Sequence, residues 1–170
     1  DARVLIVSDL HLEKGAAKAR RGHLVPPYDT AATLNLLERS LALFDPRSVI
    51  CLGDSFDDAG GSSAMPRLFR DRLATLMAGR DWFWIEGNHD PLPPEGLGGD
   101  SVRAMAVGGL NFVHHPSAGS VHGEVAGHLH PGARIVRRGR SVRRRCFATD
   151  GARMIMPAYG AYTGALNLRD

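Results

Sequence analysis

An α/β fold is predicted by three features of the sequence. Apolar runs of strand length recur along the chain, helix-period segments separate the early ones, and after Pro91 the pattern changes to brief alternating segments divided by Gly-rich turns. With 170 residues, 44% of them hydrophobic, the chain can bury one sizeable core and is short for two, so residues 1–170 are expected to form a single domain.

The apolar runs are residues 3–7, 48–52, 82–85, 110–113 and 153–156, most of them closed by Gly, Asp, Asn or His, as buried strands are. Between the first two, residues 30–44 place Leu34, Leu37, Leu41 and Phe44 at helical spacing behind Asp29 or Thr30 as N-cap. A second helix is expected within residues 64–77, with Leu68, Leu73, Leu76 and Met77 as its apolar stripe. Strands alternating with helices predict parallel winding in this half. The segments 102–107, 110–114, 124–127, 133–137, 143–149 and 153–157 then predict an antiparallel second half, after an irregular Pro- and Gly-rich loop at 91–99.

Composition excludes several classes. Cys51 and Cys146 are the only cysteines, too few for a disulfide framework, and Cys51 lies in an apolar run as a buried strand thiol would. No stretch reaches the roughly 18 to 20 apolar residues of a membrane span, and the opening seven residues show no signal-peptide pattern. A cytoplasmic protein with no membrane partner is the expectation. The formal charge of +3 favours anionic partners without identifying one.

Residues that ligate metals gather where the expected strands end: Asp9 and His11, Asp54 after Gly53, Asn88-His89-Asp90 after Gly87, His114-His115, and His128 and His130 after Gly127. In open α/β sheets the functional crevice lies beyond the carboxyl ends of the strands, so five such ends can supply one site. In extended chain, residues i and i+2 point the same way, which would let Asp9 with His11, and His128 with His130, share a cation. Mixed carboxylate, imidazole and amide donors suit Mn²⁺, Fe²⁺, Zn²⁺ or Mg²⁺. The seven candidate ligands divide naturally between two ions, with Asp9, His11 and His130 on one, Asn88, His114 and His128 on the other, and Asp54 bridging. Two such ions activate a water as nucleophile and clamp phosphoryl oxygens. His89 is then free to protonate the leaving oxygen as general acid, oriented by Asp90 or Asp57. His115, next to a ligand in extended chain, is expected to point away; His23 and His122 have no metal-ligating company. Each motif alone has a commonplace reading as a cap or turn, and it is their joint placement that signals a site.

These residues, in this order, are similar to the calcineurin-like metallophosphoesterase superfamily, and the segments SDLHLEKG at 8–15, PPYDT at 26–30, GHLHP at 127–131 and PAYGAYTG at 157–164 resemble its bacterial ligase-associated DNA damage response phosphoesterases. The resemblance covers nearly the whole chain, although His115 stands where it leads one to expect Glu. It implies an α/β/β/α sandwich of two mixed sheets flanked by helices, a two-metal site with Mn²⁺ as the foremost ion, and a setting beside an ATP-dependent DNA ligase, a helicase and a nuclease. It is also compatible with a homodimer.

Arg137, Arg138, Arg140, Arg143, Arg144 and Arg145 surround an expected hairpin turn at 139–142, a tip that could grip a nucleic-acid backbone or be only a solvated edge strand. Lys14, Lys18, Arg20 and Arg21 follow the first ligand pair closely, and Arg20 and Arg21 are the candidates for substrate phosphate. Tyr28, Tyr159 and Tyr162 either stack on a base or pack against neighbouring backbone. Three readings compete in this order: a phosphodiesterase acting on nucleic acid in DNA repair, a phosphodiesterase or phosphatase for a small nucleotide, and a metal-dependent binding module.

Overall fold

The computed structural model describes residues 3–119 and 121–167; residues 1, 2, 120 and 168–170, which the single-domain expectation includes, lie outside it. In chain order the elements are β1 (Val4–Val7), α1 (Lys14–Arg20), α2 (Asp29–Phe44), β2 (Ser48–Cys51), α3 (Gly61–Ala64), α4 (Arg67–Met77), β3 (Asp81–Ile85), β4 (Asp100–Val102), β5 (Ala104–Val107), β6 (Leu110–Val113), β7 (Glu124–Ala126), β8 (Pro131–Arg137), β9 (Arg140–Arg145), β10 (Ala148–Thr149), β11 (Arg153–Ile155) and β12 (Leu166–Asn167).

The first sheet runs β1-β2-β3-β4 and is parallel throughout. Both of its faces are covered, which is why its strands are unbroken apolar runs. Val49 and Cys51 of β2, with Val7, Trp82 and Trp84, pack under Leu34, Leu37 and Leu41 of α2 and Leu73 and Met77 of α4. The alternate residues Ile50 and Leu52, with Ile85, face Phe112 and Val125 of the second sheet. The expected α/β sandwich of sheets flanked by helices is therefore present.

The second sheet, β10-β11-β7-β6-β5, is mixed: β7 lies parallel to both β6 and β11, and only the two outer pairs are antiparallel. A fully antiparallel second half is thus a wrong expectation, because alternation reports a covered face and not the direction of the neighbouring strand. The run 102–107 also divides between two sheets. The chain bends at Arg103, so Val102 enters the sandwich core from the first sheet while Met105 and Val107 enter it from the second. A small third sheet, β12-β8-β9, carries the arginine hairpin.

Three local expectations change. Pro66, with no N–H to donate, stands at the N-cap of α4, so that helix starts at Arg67 and the preceding turn is the separate α3. Leu68 and Phe44 are not core residues, being 75% and 63% exposed. The hairpin turn is Arg138-Gly139, both left-handed (φ 51° and 74°), with Arg137 paired to Arg140, the two-residue geometry that suits the strand twist.

Candidate metal centre

Because β1, β2 and β3 are parallel, their carboxyl ends meet at one edge of the first sheet, and the loops after β6 and β7 reach the same place. Backbone hydrogen bonds stitch the loops together: Asp9 N–H donates to Gly53 O (3.3 Å), His11 N–H to Asp54 O (2.9 Å) and Gly127 N–H to His114 O (3.1 Å). The pairs Asp9 with His11 and His128 with His130 are not extended, contrary to what their spacing suggested. Asp9, His11, Asp54, His128 and His130 all lie in the left-handed region, with φ of 52°, 43°, 46°, 66° and 43°. Such backbone costs on the order of 1 to 3 kcal/mol per residue and persists only where the surroundings impose it. Gly53 shows how close the packing is, since a Cβ there would fall 2.5 Å from the His114 ring.

The side chains form two groups with Asp54 between them. Asp9, His11 and His130 bring ligand atoms within 4.8 Å of one another, and His130 Nε2 is 3.1 Å from Asp9 Oδ1. On the other side the His114 and His128 rings are 5.1 Å apart, and Asn88 Oδ1 is 2.9 Å from His114 Nε2. Asp54 Oδ2 lies 3.4 Å from His114 Nε2 and 3.9 Å from His11 Nε2.

The ring orientations suit cation binding. His11 Nδ1–H donates to Asp57 Oδ1 at 3.0 Å and His114 Nδ1–H to Leu52 O at 2.8 Å, which turns both Nε2 atoms inward. His11 Nε2 and His130 Nε2 are buried without a hydrogen bond, His130 Nε2 standing 3.1 Å from Asp9 Oδ1 and His11 Nε2 3.9 Å from Asp54 Oδ2. Two unpartnered nitrogens converging with buried carboxylates are what a divalent ion would satisfy, so the residues fit the group. Electrostatics agree at His11 and Asp54, whereas at His114 burial is outweighed by the Asp54 carboxylate, which raises this imidazole above its ordinary value. Burial holds His11 below the usual imidazole range despite Asp57, keeping it in the neutral, ligating form. Burial would raise Asp54, yet His114 beside it and the hydrogen bond from the His89 amide outweigh that and hold this carboxyl well below its ordinary value.

His89 is half-buried beside this cluster. Its N–H donates to Asp54 Oδ1 (2.9 Å), its Nδ1–H donates to the Asp57 carbonyl oxygen (2.9 Å), and its Nε2 is 4.0 Å from Asp54 Oδ2. Neither proposed carboxylate orients it. The Asp57 carboxylate is engaged by His11 and by Lys14 Nζ at 2.5 Å, while Asp90 accepts the Ser55 and Phe56 amides at 2.8 and 3.1 Å. Burial pushes Asp90 up to about 7.

Arg20 and Arg21 do flank the centre, but both face acids. Arg20 Nη2 lies 2.6 Å from Asp58 Oδ2, and Arg21 lies 3.7 Å from Asp57 and 4.0 Å from Asp58. They project from the end of α1, a helix with no large apolar stripe; its buried residues are Gly15 and Ala17, and that absence hid it in the sequence. His115 is exposed, as expected of a surface residue, but it does not point away from the cluster. Its ring instead lies 3.9 Å from that of His128, because β6 has ended at Val113 and strand alternation no longer applies. Tyr159 packs against the first core and its hydroxyl meets Ser40 Oγ at 2.7 Å, whereas Tyr28 is exposed.

A buried Asp and His constellation at the strand ends of a two-sheet sandwich defines a metal-dependent phosphoesterase. The calcineurin-like phosphoesterase family model matches residues 2–148, and the chain belongs to that family. It is also similar in structure to the Pseudomonas putida nuclease MPE, with a TM-score of 0.76 and 29% identity over 98% of this chain and 80% of that one. No curated protein matches it.

Proposed function

We propose that the protein is a two-metal phosphodiesterase acting on nucleic acid, with a role in DNA repair. Asp9, His11 and His130 would hold one ion and Asn88, His114 and His128 the other, with Asp54 shared between the two sets, and Mn²⁺ is the foremost candidate metal. The observation that carries this reading is the placement of Asp54 between two sets of donors, one of which contains unpartnered buried nitrogens. Bound ions would supply an activated water and counter-charge for the phosphoryl oxygens. Asp57 holds His11 with its Nε2 turned inward, Leu52 O does the same for His114, and His89, oriented by the Asp57 carbonyl, donates a proton to the leaving oxygen from Nε2.

Nucleic acid as substrate is supported by the β8–β9 hairpin. Among the described residues Arg137, Arg138, Arg140, Arg143 and Arg144 have no carboxylate partner, and a row of unneutralised cations releases counterions on meeting a phosphate backbone. The similar Pseudomonas putida protein bears the name nuclease. The resemblance to ligase-associated phosphoesterases supports a DNA ligase, helicase and nuclease as working partners and a cytoplasmic location. The test is Mn²⁺-supplemented turnover of single-stranded DNA, duplex DNA, cyclic nucleotides and an aryl phosphodiester, with metal analysis of the parent and Asp54→Asn. DNA cleavage by the parent, and loss of both turnover and bound metal in Asp54→Asn, are expected. Turnover of cyclic nucleotides alone would move the substrate to the small-nucleotide class, and full metal occupancy in Asp54→Asn would remove the bridge.

A further inference from the structure

We propose that Arg145 is a positioning residue for one arm of the metal centre, holding the Asp9–His11 loop through the segment 157–164 and His130 through Leu166 just beyond it. In the sequence it is the last of an arginine run and looks like its neighbours. In the structure it is set apart. Arg143 and Arg144 are exposed, whereas Arg145 sits half-buried at the inner end of β9 opposite Gly132.

Its guanidinium faces four backbone carbonyls and no carboxylate. Nη1–H donates to Tyr159 O at 3.2 Å, and Nη2–H is directed at Gly160 O (2.6 Å), Thr163 O (2.9 Å) and Ala161 O (3.4 Å). Gathering that many acceptors requires a rigid donor fork, which arginine has and lysine lacks. The gathered segment in turn grips the first ligand loop. Tyr159 N–H donates to Ser8 O (2.7 Å), Gly160 N–H to Asp9 O (3.1 Å), and, just beyond, Leu166 N–H to His130 O (2.8 Å). Gly160 lies so near Leu10 that a Cβ there would collide with the Leu10 carbonyl. Asp9, His11 and His130 are left-handed, so they depend on being held. Among the described residues no backbone hydrogen bond joins 157–164 to Asn88, His114 or His128. Arg145 thus bears directly on the first ligand set, and on the second only through the His128 N–H bond to the Asp9 carboxylate (3.1 Å).

The inference rests on Asp9, His11 and His130 holding a cation. The test titrates Mn²⁺ calorimetrically into the full chain as parent, Arg145→Met, Arg145→Lys, Gly160→Ala and the surface control Arg67→Met, and follows hydrogen exchange of the Tyr159 and Gly160 amides in chelator. In Arg145→Met one of two binding steps should weaken by roughly 10- to 100-fold, the range for groups that orient metal ligands, while the other step holds. Arg145→Lys should recover only part of that loss, Gly160→Ala should reproduce the selective loss from the opposite side, and the two amides should exchange faster in Arg145→Met. Unchanged binding steps, or equal weakening of both alongside a lower Tm, would overturn the proposal. If Arg145→Met does not fold, Gly160→Ala decides it by the same criterion. A parent that binds no ion sinks the ligand assignment instead, and the amide exchange then still decides whether Arg145 holds the loop.

Discussion

The two basic regions of this protein look alike in sequence and differ in what their charge is free to do. Lys14, Arg20 and Arg21, at either end of α1, face Asp57 and Asp58, and Asp57 also fixes the His11 ring with its Nε2 turned into the Asp and His cluster. The cations of the β8–β9 hairpin, apart from Arg145, face solvent. Neutralised charge beside a metal centre acts on the centre, whereas unneutralised charge on an exposed ribbon acts on a long polyanion. Variants near α1 should therefore affect substrates of every size, and hairpin variants only polymers.

The largest effect tests the first half of that contrast. His89, whose ring is hung from the Asp57 carbonyl, should cost roughly 10² to 10⁴ in kcat when replaced by Ala, for DNA and for small alkyl diesters alike, with both metals retained. An activated aryl ester should suffer much less, and equal losses on the two ester types would remove the general-acid role. Next comes Asp57→Asn, which weakens the carboxylate support of His11 and leaves Lys14 and Arg21 unbalanced. Its Mn²⁺ affinity should fall by roughly 10- to 100-fold, with turnover of all substrates following, and rescue of turnover by excess Mn²⁺ would mark the defect as metal binding.

The hairpin should respond differently. Replacing Arg137, Arg140, Arg143 and Arg144 with Ala, while leaving Arg145 in place, should not alter turnover of a small aryl diester. DNA binding should weaken, and the slope of log K against log salt should flatten by up to roughly 3.6, at about 0.9 for each duplex phosphate no longer neutralised. An unchanged slope would make the hairpin a solvated edge strand. The smallest effect is expected from Arg20→Ala. Its partly exposed pairing with Asp58 is worth no more than about 1 kcal/mol, so Tm should barely move. A large loss of DNA turnover there would show that this arginine leaves Asp58 for substrate phosphate, and the contrast between the regions would blur.

Much of the clustering at the candidate metal centre was legible in the sequence because its signal is local. Asp9 with His11, Gly53-Asp54, Gly87-Asn88-His89 and Gly127-His128 with His130 are short runs at the ends of apolar strands, and a parallel sheet gathers such ends whatever the intervening loops do. Burial on both faces was likewise written in the unbroken runs around Val49 to Leu52 and Trp82 to Ile85. What the sequence could not carry is any property that depends on a partner distant in the chain. The parallel pairing of β7 with β6 and β11, the passage of 102–107 from one sheet to the other, and the swing of His115 onto His128 follow from which segments pack together, and no residue type encodes that alone. The arginines show the same division. Residue identity determined that each carries a positive charge, but only tertiary structure decided that Arg20 and Arg21 face acids, that Arg143 and Arg144 face water, and that Arg145 points at backbone carbonyls. The free energy of a charge is set by the dipoles and ions around it, and those arrive from other parts of the fold.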